Sequence, residues 1–286
     1  MMTKTCFAAS SKLLSSFLAL LLVPGLTGCS TPARSLESTL IPGDSSAPSQ
    51  VTPEESLAIA EQYTRHAWRP FARNIRHSPD SAGVRVDTPD AGYQPASGRA
   101  GWWIPGEVNR GIPYKWGGFD DLDSFDAGIQ AGKAAGDVAS PAKREANNAA
   151  VSREAIGVDC SGFVSRCLKL PVVHDSSELP GICDPLLNPL DLAPGDLLNI
   201  PNRHVMLVAG WARADKSWIY FYETGGEPDW KPDLKVSPLD KLLALGFQPL
   251  RYRGMARPSK PTGKQVLTRA VLAKAIEVPN PAVGDP

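Results

Sequence analysis

A cysteine, a histidine and a glutamate are the residues of this chain whose types and order suit nucleophilic catalysis. The run Asp-Cys-Ser-Gly at 159–162 places Cys160 in what the pattern predicts to be the first turn of a helix. There the unpaired backbone N–H groups and the positive end of the helix dipole favour a thiolate over a thiol. His204 and Glu223 follow along the chain. A nucleophile, a base and a residue that orients the base are the three parts that covalent acyl transfer requires.

Strands are predicted to position the histidine and the glutamate. Two strands separated by a turn are expected within residues 194–211, with His204 at the start of the second. Residues 217–224 are rich in β-branched and aromatic side chains and precede a glycine pair, which predicts a third strand. Glu223 lies near its end, where a carboxylate can hold an imidazole in one tautomer. The His204 ring is therefore expected to face a helix packed on this sheet.

Four motifs in this order resemble the NlpC/P60 family of papain-like cysteine peptidases. They are Pro-Tyr-Lys-Trp-Gly-Gly at 113–118, Asp-Cys-Ser-Gly-Phe-Val at 159–164, Pro-Gly-Asp-Leu at 194–197 and His-Val at 204–205, followed by the strand that ends at Glu223. The resemblance implies an α+β fold in which a cysteine-bearing helix packs on an antiparallel β-sheet. It also implies cleavage, without a cofactor, of an amide in the stem peptides of bacterial peptidoglycan, commonly between D-glutamate and a diamino acid.

The resemblance assigns catalytic roles to three residues. Cys160 corresponds to the nucleophile, and His204 to the general base that later protonates the leaving amine. The family's third position is most often a histidine, whereas here Glu223 stands in its place. A carboxylate there would keep the imidazolium charged to a higher pH.

Three further residues match family positions around the nucleophile. Tyr114 corresponds to a tyrosine that helps the Cys160 backbone N–H stabilise the oxyanion. Asp159 and Ser161 match positions that, in some members, contact the free amine or the D-glutamyl part of the substrate. The resemblance therefore implies a substrate cleft bounded by these residues.

An insertion separates two of the motifs. Residues 119–158 stand where the family usually has a short loop, and the segment is polar, rich in alanine and helix-compatible over 141–155. A long connection beside a catalytic cysteine is more often functional than idle, so a lid, a docking surface and a simple insertion all stay open. The four aspartates within 120–126 lack the glycine and glutamate of a calcium loop and predict a solvated acidic loop.

The N-terminal segment has the features of a bacterial lipoprotein signal. Lys4 and Lys12 precede an apolar run over 13–23, which is too short for a stable membrane span. Leu-Thr-Gly-Cys at 26–29 resembles the lipobox, in which the cysteine, here Cys29, is lipidated; ordinary cleavage beside a coincidental cysteine is the alternative. Buried acyl chains would anchor the exported protein to a bacterial membrane. The serine that follows favours the outer membrane, facing the periplasm, if the host is Gram-negative.

Composition limits the classes of partner. Basic and acidic residues number 30 each, and removal of the signal leaves 28 basic against 30 acidic. No basic face indicates nucleic acid, and the histidines lack the spacing of metal ligands. The expected partners are peptidoglycan or its stem peptides and, through the lipid on Cys29, a membrane. The oligomeric state is left open.

The chain divides into four predicted regions. A signal peptide at 1–28 precedes a flexible tether at 29–50 that is rich in serine, proline and threonine. The catalytic domain occupies 51–255, and a proline-flanked tail follows at 256–286. Thr-Pro-Glu-Glu, starting at Thr52, predicts a capping box with proline in the first turn of the domain's first helix.

Several residues have two interpretations. Export permits a disulfide between Cys167 and Cys183, but a buried free thiol is at least as consistent for Cys167. Trp102, Trp103 and Trp116 either line a substrate cleft or pack in the core. The sequence does not decide between these alternatives.

Two other functions compete with a peptidoglycan endopeptidase that acts through a thioester. The same fold could perform amidase or acyltransferase chemistry on another substrate. Alternatively, the domain could be a catalytically degenerate wall-binding lipoprotein, although the intact Cys160, His204 and acidic third position argue against that.

Overall fold

The structure, a computed structural model, describes residues 50–96, 98–226 and 229–256. The predicted signal peptide, Cys29, nearly all of the tether and nearly all of the tail lie outside the described residues, so these assignments stay predictions. None of the described helices is long and apolar enough to cross a bilayer.

The first helix begins as its sequence predicts. Thr52 Oγ1 accepts a hydrogen bond from the Glu55 backbone N–H at 3.2 Å, and the Glu55 carboxylate accepts one from the Thr52 N–H at 2.9 Å. Pro53 needs no hydrogen-bond partner for its nitrogen in the first turn. The described α-helices are α1 (Pro53–Arg65), α2 (Leu122–Gln130), α3 (Pro141–Ala146), α4 (Cys160–Cys167) and α5 (Leu239–Ala244).

The strands build one central sheet and three small two-stranded ones. They are β1 (Ala67–Trp68), β2 (His77–Pro79), β3 (Arg85–Asp87), β4 (Asn109–Arg110), β5 (Ala134–Ala135), β6 (Ala155–Ile156), β7 (Cys183–Pro185), β8 (Leu197–Ile200), β9 (His204–Trp211), β10 (Trp218–Glu223), β11 (Asp233–Pro238) and β12 (Gln248–Tyr252). The central sheet has the order β11-β10-β9-β8-β12-β7, and every neighbouring pair is antiparallel. The predicted α+β class is confirmed.

Helix α4 packs on β9 of the central sheet and against α1. Its buried Phe163 and Cys167 share one hydrophobic core with Val205 and Leu207 of β9. Tyr63 of α1 meets the Phe163 ring edge-on, with ring centroids 5.9 Å apart. Burying a side chain as large as Phe163 contributes roughly 1.5–3 kcal/mol. The helix that begins with Cys160 is thereby fixed to the strand that begins with His204.

Glycines allow an unusually close approach at the start of α4. A Cβ on Gly162 would lie 1.8 Å from the Gly118 carbonyl oxygen, and one on Gly118 would lie 2.4 Å from the Gly157 carbonyl oxygen. Neither position has room for a side chain. The Asp159 N–H donates to the same Gly118 carbonyl at 3.0 Å. The glycines of the two motifs therefore dock the 117–118 loop directly against the nucleophile helix.

The segment 119–158 is folded into the domain. Phe125 and Ile129 of α2, together with Ile156 and Val158, are buried in the same core as α4. The predicted acidic loop is wrong, because Asp121 instead caps α2 by accepting from the Ser124 backbone N–H at 2.7 Å. The helix expected over 141–155 is also too long, because α3 ends at Ala146. Such integration argues against a hinged lid.

Two strands of the central sheet, β7 and β11, are not predicted by the sequence pattern. They are the edge strands of the central sheet. Edge strands tolerate charged residues and proline, and such residues weaken the sequence pattern of a strand. Both β7 and β11 contain charged residues and a proline. Helix α5 begins at Leu239, directly after β11, and is followed by Gly246 with a φ of 96°, a backbone conformation in which glycine commonly ends a helix.

The first and last parts of the described domain are paired with each other. The Val51 N–H donates to the Gly254 carbonyl at 3.1 Å, and the Ala256 N–H donates to the Val51 carbonyl at 2.9 Å. Both Val51 and Met255 are buried in the main core. The domain is thus closed where the chain enters and leaves it.

Candidate active site

Cys160 is the first residue of α4, as the sequence predicts. Asp159 caps the helix, since its Oδ1 accepts from the Gly162 N–H at 2.7 Å. The Cys160 side chain is partly accessible, whereas Cys167 and Cys183 are buried. Of the three described thiols, Cys160 alone combines access with the positive end of a helix.

His204 and Glu223 meet because β9 and β10 are antiparallel, which sets the start of one strand beside the end of the other. His204 Nε2 lies 2.5 Å from Glu223 Oε2, and the two side chains are 22% and 10% exposed. The other ring nitrogen, Nδ1, is then left for Cys160, which is close enough to raise the pKa of the imidazole. The three predicted catalytic residues are brought together in one site.

The neighbouring groups of this site stabilise the charged forms of His204 and Glu223. Burial is the largest single influence on the pKa of His204 and lowers it, but the charge and hydrogen bond of Cys160, followed by those of Glu223, raise it to about 10. Burial likewise acts to raise the pKa of Glu223, yet His204 and Lys235 lower it to about 2. At neutral pH the pair is an imidazolium and a carboxylate. In that form His204 can donate a proton to a leaving group.

Lys235 is a fourth member of the site that the sequence analysis missed. Its Nζ lies 2.8 Å from Glu223 Oε1, the carboxylate oxygen that His204 does not use. Lys235 belongs to the unpredicted edge strand β11, so no pattern placed it beside Glu223. Alternation within residues 233–237 is the signal that would have found it. The lysine holds the Glu223 carboxylate from the side opposite His204.

Replacing Lys235 with methionine should lower kcat/KM by roughly tenfold, the usual value of one charged hydrogen bond. The carboxylate of Glu223 would keep a single partner, and its pKa would rise from about 2 because two of the influences lowering it are lost. Turnover measured across pH checks this. Lys235→Arg should restore much of the rate, whereas the exposed Lys241→Met on α5 serves as a charge-matched control. An unchanged rate and pH profile would contradict the role.

Tyr114 forms a wall of the site. Its ring lies against Gly225 and 5.3 Å from the Trp230 ring. Burial, followed by the charges of Asp159 and Cys160, raises the pKa of its hydroxyl well above the ordinary value, so the group stays a neutral donor. The part of the chain that the structure describes provides no hydrogen-bond partner for this hydroxyl. This placement is compatible with the predicted oxyanion role, which stays a prediction.

Asp159 and Ser161 form hydrogen bonds that hold the backbone around Cys160 in place. The Asp159 carboxylate accepts from the Ser161 hydroxyl at 2.9 Å and from the Gly117 N–H at 3.1 Å, in addition to its helix-capping bond. Burial raises the pKa of this carboxyl despite these hydrogen bonds. The contacts tie the start of α4 to the 117–118 loop. A direct substrate contact by either residue stays a prediction.

Changing Asp159 to alanine should reduce the free energy of unfolding by about 1–2 kcal/mol, the range measured for a lost helix cap. Activity should fall further than stability explains, because Cys160 and Gly117 lose the group that joins them. Denaturant unfolding and turnover of the same preparation separate the two effects. Asp121→Ala, which removes the cap of α2, is the matched control and should lose stability while remaining active. Equal loss of activity in both variants would argue against a local role.

The three tryptophans of the motif region differ in burial. Trp103 is fully buried and donates its indole N–H to the Ala135 carbonyl at 3.1 Å, so it belongs to the core. Trp102 is partly buried and donates to the Trp230 carbonyl. Trp116 remains half-buried immediately before Gly117, whose N–H binds Asp159. Trp116 therefore lies next to the loop that is hydrogen-bonded to Asp159, and its place in a substrate cleft stays a prediction.

No cluster of histidine, cysteine, aspartate or glutamate side chains in the described ranges could hold a metal ion.

No family model matches the chain, and no curated protein or solved structure is significantly similar to it. What this site does is therefore inferred from its residues and their geometry.

Proposed function

We propose that this chain is a papain-like cysteine peptidase of the NlpC/P60 type that hydrolyses an amide bond in peptidoglycan stem peptides. The observation that carries the proposal is the joint placement of Cys160 at the start of α4 and the His204–Glu223 pair beside it. A cysteine-bearing helix on an antiparallel sheet supports the papain-like fold. The motifs at 113–118 and 159–164 support the family and its substrate class.

Acylation would start from the thiolate of Cys160 and the imidazolium of His204. The sulfur attacks the amide carbonyl carbon, and the carbonyl electrons move onto oxygen, where the Cys160 backbone N–H and the Tyr114 hydroxyl donate hydrogen bonds. Collapse of this intermediate breaks the C–N bond. His204 gives its proton to the departing nitrogen, so the products are a free amine and a thioester on Cys160.

Hydrolysis of the thioester would return the enzyme to its starting state. Neutral His204 takes a proton from water, and the resulting hydroxide attacks the thioester carbonyl. The C–S bond breaks, which releases a carboxylic acid and restores the thiolate–imidazolium pair. Throughout, Glu223 accepts from His204 Nε2 and keeps Nδ1 directed at the reacting atoms.

The proposed location agrees with this chemistry. Export by the signal at 1–28 and lipidation at Cys29 would hold the domain on a bacterial membrane beside the cell wall. In that position its partners are peptidoglycan or soluble stem peptides. The bond between D-glutamate and a diamino acid is the proposed target, because it is the one that the family resemblance implies.

Digestion of purified peptidoglycan and soluble stem peptides tests the proposal. The protein without residues 1–29 is used in reduced form, and the products are identified by mass spectrometry. We expect one new amine and one new carboxyl terminus from a single amide. Cleavage of a different amide or ester would favour the amidase or acyltransferase alternative. Wall binding that survives alkylation of Cys160, with no product, would favour a binding lipoprotein.

A further inference from the structure

The inserted segment reaches the nucleophile through Trp116. The Trp116 indole N–H donates to the Asn147 carbonyl at 3.1 Å, directly after α3. Its backbone N–H donates to the Asp137 carbonyl at 2.9 Å. The guanidinium of Arg144, on α3, lies 5.8 Å from the centre of the Trp116 ring. Residues 137–147 therefore pack beside the motif at 113–118, whose loop is hydrogen-bonded to Asp159.

Helix α3 is firmly anchored next to this arginine. The buried Lys143 donates to Asp137 Oδ2 at 2.7 Å and to the Arg85 carbonyl at 2.6 Å. Asp137 Oδ1 in turn accepts from the Asp87 N–H at 3.2 Å. A buried ion pair with these additional hydrogen bonds fixes local geometry. Arg144 consequently projects from a rigid support rather than from a mobile flap.

The Arg144 side chain carries a positive charge that no described carboxylate pairs with. It is exposed, and the described parts of the chain offer its guanidinium no hydrogen bond or ion pair. By contrast, the guanidinium groups of Arg76, Arg85 and Arg251 are paired with carboxylates. The charge of Arg144 also acts on the Tyr114 hydroxyl and lowers its pKa, while the charge of Cys160 acts on the same hydroxyl and raises its pKa. The charge therefore lies beside Trp116 and within electrostatic range of Tyr114.

We infer that Arg144 and Trp116 form a subsite that binds a substrate carboxylate close to the scissile amide. The inference rests on the proposed function and specifies its substrate as an acidic peptide. A guanidinium recognises a carboxylate with two parallel hydrogen bonds, and the indole face covers the adjacent apolar part of the ligand. A D-glutamyl residue linked through its side chain carries such a free carboxylate beside the amide.

A pair of peptides tests the subsite within the proposed reaction. One carries the free α-carboxylate on the γ-linked D-glutamyl residue, and the other carries a carboxamide there. Wild type should prefer the carboxylate peptide in kcat/KM by roughly tenfold or more. Arg144→Gln should bring the ratio close to one, and Arg144→Lys should retain part of it. Arg153→Gln removes an exposed arginine from the same inserted segment and should leave the preference unchanged.

A second measurement does not depend on peptidase activity. Iodoacetate and iodoacetamide alkylate the same Cys160 sulfur but differ in charge, so the ratio of their rates reports cation density at the cleft. Arg144→Gln should lower this ratio by roughly three- to tenfold, and Arg153→Gln should not. Added salt should reduce the wild-type ratio as well.

The outcomes are distinguishable. If wild type cleaves a peptide but Arg144→Gln alters neither ratio, the subsite is refuted and the peptidase proposal stands. If wild type cleaves neither peptide yet the alkylation ratio falls only in Arg144→Gln, the peptidase proposal fails and the anion subsite stands. If Arg153→Gln lowers both the preference for the carboxylate peptide and the iodoacetate-to-iodoacetamide rate ratio, the effect is one of general charge. That result would overturn the assignment to Arg144.

Discussion

Replacing Cys160 with alanine should reduce turnover by roughly 10⁴- to 10⁶-fold, which is the scale seen when a catalytic nucleophile is removed. No other described thiol is both accessible and at a helix start, so no substitute nucleophile exists among those residues. The fold should persist, because the side chain lies at the edge of the core rather than inside it. Product formation and thermal unfolding of the purified variant check both parts.

Cys167→Ala is the matched control, seven residues further along α4. It removes a fully buried thiol and should lower stability while preserving turnover. Activity near wild type in Cys160→Ala would refute the nucleophile assignment. A second observable follows from the electrostatics: the pKa of His204, about 10 with the thiolate present, should fall in Cys160→Ala. Titration of the imidazole by NMR measures that change directly.

Glu223→Gln is expected to cost about ten- to one-hundred-fold in kcat, less than loss of the nucleophile, because Glu223 orients and does not react. The amide keeps the shape but loses the negative charge between His204 and Lys235. The imidazolium is then stabilised less, so its pKa falls. The alkaline limb of the pH–rate profile should consequently move to lower pH by about one pH unit or more.

The pKa shifts of His204 and Glu223 also make the free energy of unfolding depend on pH. The pKa of His204 is raised, so its contribution is complete below the ordinary value of 6.5 and is lost as pH rises through about 10. The pKa of Glu223 is lowered, so its contribution is present above the ordinary value of 4.5 and is lost as pH falls toward about 2. Unfolding midpoints of Glu223→Gln and wild type should therefore converge in strong acid. Identical rates and pH limbs at neutral to alkaline pH would place the orienting residue elsewhere.

The sequence predicts the centre of the site well because its signals are local. Asp159 is a helix-capping residue directly before Cys160, and the strand patterns around His204 and Glu223 are regular. Lys235 was missed because the alternation around it covers only five residues of an edge strand, and pairing with β10 is what brings its side chain beside Glu223. Helix α2 was missed because its aspartates resemble a loop, and only the burial of Phe125 and Ile129 shows that it is amphipathic. Tertiary contacts decide the conformation of such segments.

The pairing of Val51 with Gly254 and Ala256 has a consequence for the ancestry and engineering of this domain. A unit whose entry and exit points coincide can be inserted into a loop of a host protein, or circularly permuted, without separating its parts. The order of α4, β9 and β10 along the gene is then one of several workable orders. Selection can move such a module between proteins as a whole and leave the chemistry of its cleft untouched.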